Sequence, residues 1–383
     1  MKQKIFMPKY MVDFKCVSSK CIDTCCAGWD INIDRDTYLN YSNSSLTFKE
    51  LVNGKFIKND KGQNYFNHGF MKLIGERTCP FLNESMLCDI HEEVGEENLC
   101  ITCKSYPRVY NIVDGVYEKS GLPSCYEVCV KGFLNKDKME FVEIEEEINE
   151  KSIEIRRVID SEAYEGTDSL LQFFWDIRVI SINIIQSRSF TIEERLNILK
   201  NFYENIERMH YEEDYDSLED LIEDFNNKAI NYEEIKGQAF NENNKFYISL
   251  ANEELIKNIK SIKLNCCVDE YKLEIMNEVD ICDHLKEMNK SFYKVDKFHY
   301  ILENYLVNQI FKDLIPFNKG EGLMKSINGL INSYRIIKAY VIGIALNAKE
   351  EVTEKQIIRV IQALSKDIEH NMVFKELLEN SSY

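Results

Sequence analysis

The chain lacks the features that would mark it as a membrane protein, a secreted domain or an ordinary nucleotide-binding enzyme. Only 5 of its 383 residues are proline and 15 are glycine, and no Gly-x-Gly-x-x-Gly turn follows a strand. Without that turn a doubly wound, pyrophosphate-cradling sheet has no support. Long apolar runs are missing too. The longest, Ile336 to Leu346, is interrupted by Lys338 and falls short of the about 20 residues a bilayer crossing needs. Met1 to Met11 carries Lys2, Lys4 and Lys9 but no apolar core of an export signal, so a cytoplasmic location is expected. Positive charge is outnumbered, 47 Lys plus Arg against 65 Asp plus Glu, for a net −18. Such a field repels duplexes and anionic bilayers, and neither nucleic acid nor membrane is expected as a partner.

Cysteine, absent from Val130 to Asn265, is concentrated before it: ten of 13 precede residue 130. One group is Cys16, Cys21, Cys25 and Cys26; a second is Cys79, Cys88, Cys100 and Cys103; Cys125 and Cys129 follow. A chain this long does not need disulfides to supplement a small core, and a reducing compartment keeps clustered thiols available to a metal. Thiolate ligands suit zinc or an iron–sulfur cluster. Zinc ribbons usually show two Cys-x2-Cys knuckles, whereas only Cys100-Ile-Thr-Cys103 has that form, which leans toward iron–sulfur with zinc as the alternative. Cys266, Cys267 and Cys282, isolated downstream, read as small packing residues.

These contrasts predict a mainly α protein in two parts: a loop-rich cysteine-cluster region with a small hairpin, residues 1–135, and a multi-helix assembly, residues 136–383. In the first part, Trp29 to Ile33 alternates like a strand. Val109 to Val113 and Val116 to Lys119 form a hairpin about Asp114-Gly115, a pair suited to a type I′ turn. Glu92 to Ser105 reads as a helix stopping before Pro107. The acidic run Glu140 to Glu150 reads as a solvated connector or helix face. Beyond it, Thr191 with Glu194 and Thr353 with Gln356 match the capping box. Phe298, Ile301, Leu302, Tyr305, Leu306 and Ile310 make an apolar helical stripe ending near Pro316, and similar patterning covers Leu170–Ile185, Leu196–Ile206, Leu323–Leu346 and Ile357–Ile368.

Several segments together resemble the flagellin lysine N-methylases: Cys21-x3-Cys25-Cys26 with Gly28-Trp29, Cys79-Pro80-Phe81-Leu82, Leu87-Cys88, Cys103 with Tyr106-Pro107-Arg108, and Ser124-Cys125. The likeness continues at Glu303-Asn304-Tyr305-Leu306, Leu314 to Phe317, and Ile368-Glu369-His370-Asn371. The cysteine part is also similar to a broader group of zinc- or iron-chelating proteins, which supports a metal without supporting methyl transfer. The resemblance implies methyl transfer from S-adenosylmethionine to lysine side chains of flagellin, with a [4Fe-4S] cluster. It puts Cys21, Cys25, Cys26, Cys79, Cys88, Cys103 and Cys125 in the ligand pool, Cys16 next, and leaves Cys100 and Cys129 out. The Cys-x3-Cys-Cys spacing departs from the Cys-x3-Cys-x2-Cys of radical enzymes, so polar transfer is expected. The alternative is a non-catalytic zinc or iron–sulfur module carrying a helical protein-interaction domain; an electron-transfer protein is a further one.

Given such a reaction, the attacking amine must be neutral, which a partly apolar channel favours, and a tyrosine and a carboxylate could align it and take its proton. Glu303 and Tyr305 fit those roles, although Tyr305 also fits the apolar stripe. For the donor's carboxylate and adenine, Arg108 and Tyr106 supply a guanidinium fork and an aromatic face. Arg108 could equally pair with an acid. His370 reads as a packing or capping residue.

Overall fold

In the computed structural model residues 2–380 are described, apart from 45, 76, 238–249, 251–252, 277–286, 288–289, 292–293 and 318–321. Cys282 lies outside the described residues.

The first strand, β1 (Lys2–Pro8), begins a five-stranded mixed sheet that draws on distant parts of the chain. Two strands of a small sheet come next in space, β2 (Asn32–Ile33) and β3 (Phe56–Lys58), joined through β4 (Gly69–Met71) in the order β2-β4-β3. The hairpin β5 (Arg108–Val113) and β6 (Val116–Gly121) then returns to the large sheet, which β7 (Phe141–Glu147) and β8 (Ile155–Ile159) complete in the order β7-β1-β6-β5-β8. Asp114 and Gly115 have φ of 48° and 75°, the two positive values a type I′ turn requires. Trp29 to Ile33 pairs only over its last two residues.

The acidic run is a strand, not a connector or helix face. β7 pairs antiparallel with β1 along its whole length. Its glutamates meet lysines of neighbouring strands: Glu143 is 3.0 Å from Lys4, and Glu146 pairs with Lys119. Apolar Ile144 is fixed opposite Ile5, so a two-residue alternation was hidden among acids. At an edge, such charges also discourage pairing with a second chain.

In the front part, α1 (Arg35–Ser42) and α2 (Leu46–Val52) pack beside the small sheet. The helix expected over Glu92 to Ser105 is split into α3 (Asp89–Val94), a 3₁₀ turn and α4 (Ile101–Ser105). Gly95, at φ 92°, turns the chain out of the helical region. α5 (Tyr126–Phe133) closes this part. A small core of Trp29, Ile31, Ile33, Tyr41, Phe48, Val52, Met71, Phe81 and Ile90 holds it. Buried Asp34 ties it locally: one oxygen caps α1 at Thr37 N, 2.9 Å, and the other accepts from Ile101 N, 2.8 Å, at the start of α4.

The helical assembly comprises α6 (Phe174–Ile185), α7 (Ile192–Tyr211), α8 (Tyr215–Asn226), α9 (Ile262–Met276), α10 (His299–Asp313), α11 (Leu323–Ala348), α12 (Glu354–His370) and α13 (Met372–Asn380). Both capping boxes are present, at the starts of α7 and α12. α11 is long and apolar enough to cross a membrane by length and composition, but 89% of its most apolar window is buried in this fold. α10 is buried on every side from Tyr300 to Lys312, polar residues included. It pins the sheet to the helices. Asn308 accepts from Tyr10 at 2.7 Å and donates to Gly121 O at 3.1 Å, and Asn111 donates to Lys312 O at 3.0 Å. Cys267 is fully buried in α9, while its neighbour Cys266 is exposed rather than packed, as consecutive helix positions point in different directions.

Candidate functional site

All twelve described cysteines are free thiols. The ten near the front fall into two neighbourhoods. Cys26, Cys79, Cys88, Cys100 and Cys103 share the small core with Tyr106. Backbone pairing assembles them: Cys79 N donates to Cys26 O at 2.7 Å, and Leu82 bridges Cys88. The thiols of Cys100 and Cys103 hydrogen-bond to each other. Cys16, Cys21, Cys25 and Cys125 interact as a second set nearer the helices. Cys129, behind them, is fully buried and donates its thiol to Pro123 O at 3.0 Å.

Cys88, Cys100 and Cys125 each occupy a helix N-cap, at the starts of α3, α4 and α5. Burial pushes the Cys79 and Cys125 thiols up to about 12, with neighbouring cysteines adding to the shift. Protonated thiols are thus favoured unless a cation draws the protons off. The contact between Cys25 and Cys26 pushes the Cys25 thiol up and draws Cys26 down to about 7.

Among the described residues no three Cys, His, Asp or Glu side chains are close enough to hold a single metal ion. A cuboidal iron–sulfur cluster stands between its ligands and keeps them farther apart than one ion does. The donor set, soft, partly buried and grouped, fits such a centre. Of the seven cysteines in the expected pool, Cys26, Cys79, Cys88 and Cys103 lie in the first neighbourhood, and Cys21, Cys25 and Cys125 in the second. Cys100, left out of that pool, sits with the first.

An aromatic group lies where the cysteine loops meet the helices. Trp29 stacks on His370 at 4.2 Å between ring centres and on Tyr106 at 5.6 Å. Tyr106 hydroxyl and His370 Nε2 both meet Ser124 Oγ, at 3.3 and 3.4 Å. Burial pushes His370 down to about 3, so its ring is neutral. The cysteine loop is clamped to this junction by Asp23, which lies 2.8 Å from Lys366 and 2.9 Å from Lys263 and also pairs with Gln362.

The remaining expected residues are dispersed. Arg108 lies over the Phe14 ring at 5.4 Å, a cation–π contact, rather than beside the Tyr106 face turned to Trp29. Glu303 is fully buried; Arg188 reaches it at 2.8–3.1 Å and Arg195 at 2.8 Å. Those contacts occupy both carboxylate oxygens. Tyr305 is 1% exposed and packs edge-on against Phe133, and its hydroxyl faces Ser333 and Ser365. The carboxylates in electrostatic reach of Tyr305 are Glu369 and Asp313, not Glu303. Sequence reasoning missed Glu369 because one glutamate among many carries no mark of burial. A separate groove of about 230 Å³ beside Phe6, Phe141, Trp175 and Phe311 is smaller than the roughly 300 Å³ lower bound of typical ligand pockets.

Residues 178–382 match the FliB lysine N-methylase C-terminal domain, which covers more than half of the chain. The chain belongs to the FliB lysine N-methylase family. Among its relatives is the flagellar biosynthetic protein FliU of Salmonella muenchen, 29% identical over 134 residues, 34% of this chain and 78% of that protein. Lysine-N-methylases of Salmonella typhimurium and Salmonella choleraesuis are 29% and 30% identical over the same length. This chain's match spans 33% of each of those two. No solved structure matches it.

Proposed function

We propose that this protein methylates lysine side chains of flagellin, using S-adenosylmethionine as donor and an iron–sulfur centre held by the front thiols. The observation that carries the reading is the match of residues 178–382 to a lysine N-methylase domain. The relatives' names, lysine-N-methylase and flagellar biosynthetic protein, support the substrate. Cys26, Cys79, Cys88 and Cys103 would hold the centre, which when bound would supply a rigid, thiolate-anchored group beside the aromatic rings. The chain's own part is positional. Trp29 and Tyr106 offer flat faces for an adenine or a sulfonium. A neutral His370 and the hydroxyls of Tyr106 and Ser124 exchange hydrogen bonds without adding charge. A low-dielectric junction of this kind favours the neutral amine that displacement at a sulfonium methyl requires.

The test is intact-mass analysis of flagellin coexpressed with this chain, read beside the absorbance of the purified protein. Successive methyl increments on flagellin and a brown, iron-containing protein are expected. Unmodified flagellin beside a folded, metal-loaded chain would instead support a non-catalytic metal module.

A further inference from the structure

One group in the junction has no use in the fold as it stands. The Glu369 side chain is 1% exposed, and neither of its carboxylate oxygens has a hydrogen-bond partner. Its nearest cation is the Lys312 ammonium at 3.6 Å, and that ammonium already bonds both oxygens of Asp313, at 2.9 and 3.0 Å. Burial raises the Glu369 pKa, as expected of a carboxyl with too little compensation. Buried carboxylates left in this condition are costly, and native folds seldom retain them without a reason.

The unpaired state extends beyond one residue. Tyr305 hydroxyl, Gln309 Oε1 and Ser365 Oγ are also buried without a hydrogen-bond partner. They line one seam: Tyr305 and Gln309 are one turn apart on α10, and Ser365 and Glu369 one turn apart on α12. Tyr305 interacts with both Ser365 and Glu369. The seam adjoins a void of about 30 Å³ bounded by Gln309, Asp313, Ser333 and Ile368. At its other end Glu369 neighbours Ser124 and the Tyr106 hydroxyl, hence the aromatic group.

The chemistry of what is missing follows from the inventory. Gln309 Oε1 and the two Glu369 oxygens can only accept while the carboxyl is ionised, and the two hydroxyls can do either. An uncharged water brings two donors and no charge. An alkylammonium brings three donors and a positive charge that, unlike the Lys312 ammonium at 3.6 Å, can approach Glu369 to hydrogen-bond distance. We infer that Glu369, with Tyr305 and Ser365, forms the subsite that receives the ammonium group of the lysine to be methylated. Once there, one N–H proton passes to a carboxylate oxygen of Glu369, leaving the nitrogen lone pair free and the carboxyl neutral. This inference rests on the lysine-methylation reading above. It retains Tyr305 from the sequence and replaces Glu303 by Glu369.

Saturation-transfer NMR on the intact purified protein tests it, with n-butylammonium as a mimic of the lysine terminus and n-butanol as the uncharged control. Wild-type protein should show transfer to n-butylammonium only, and Glu369→Gln should weaken that binding about ten-fold or more, the worth of a charge-assisted contact. Glu369→Gln should also keep or raise the Tm, since it removes an uncompensated buried charge. Equal transfer in both proteins, none in wild type, or a lowered Tm that marks Glu369 as the structural partner of Lys312 would each overturn the proposal. Flagellin mass separates the two ideas. Unmodified flagellin with Glu369-dependent n-butylammonium binding sinks the methylation reading and leaves the cation site. Methylation undiminished in Glu369→Gln sinks the cation site alone.

Discussion

The front region and the helical assembly reach order by different means. In the helical assembly, α10 is buried from Tyr300 to Lys312 and α11 from Leu330 to Ala345, so long elements bury apolar area along most of their length. The thiol-bearing span of the front region has a small sheet with strands of two or three residues, helices of five to eight, and five thiols in and against a small core. Burial there yields little, because short elements cover little apolar area for the backbone entropy they fix. Packing specifies one half; on the iron–sulfur reading proposed above, the other depends on the bonds its sulfur atoms make.

On the proposed iron–sulfur reading, removing the metal should break the comparison most sharply. Structural zinc sites contribute about 10–16 kcal/mol, and a four-thiolate cluster is expected to act on the same scale. Stripping bound iron, or substituting Cys79→Ser with Cys103→Ser, should open residues 16–125 to limited proteolysis while helical circular dichroism falls only slightly. Unchanged protease resistance would show that the front core stands without ligation. Next in size is Glu303→Ala, which strands Arg195 in the interior; breaking a buried pair costs about 3–5 kcal/mol. Thermal unfolding should move to lower temperature with iron content intact, and a loss of iron as great as the loss of stability would argue that the two regions are not separable. Smallest is Asp34→Ala, which removes the α1 cap and leaves Ile101 N unpaired, at about 2 kcal/mol from the cap and the orphaned donor together. Its effect should appear as faster hydrogen exchange in α1 and α4 and not in α10.

How much of this was readable beforehand divides along the same line. Thr191, Thr353 and the Asp114-Gly115 turn are local rules, and the structure follows them. The mainly α fold, the apolar stripe on α10 and the family were likewise legible. What failed was long-range. Nothing within Glu140 to Glu150 reveals that lysines of β1 and β6 lie across from it, so its charge outweighed its alternation. Gly95 was passed over inside an otherwise helical window. The sorting of cysteines into two neighbourhoods depends on loops meeting in space, as does the isolation of Glu369; residue spacing carries neither.

The interleaving of the large sheet has a consequence for how the molecule is made. β1 leaves the ribosome well before its partners, β6, more than a hundred residues later, and β7. During synthesis the opening segment must wait, unpaired, while every front cysteine through Cys103 emerges. Only then can the large sheet close around the thiol-bearing span. Cluster insertion would therefore wait for β6 to emerge, and a nascent chain halted before residue 116 should be the species most dependent on chaperones.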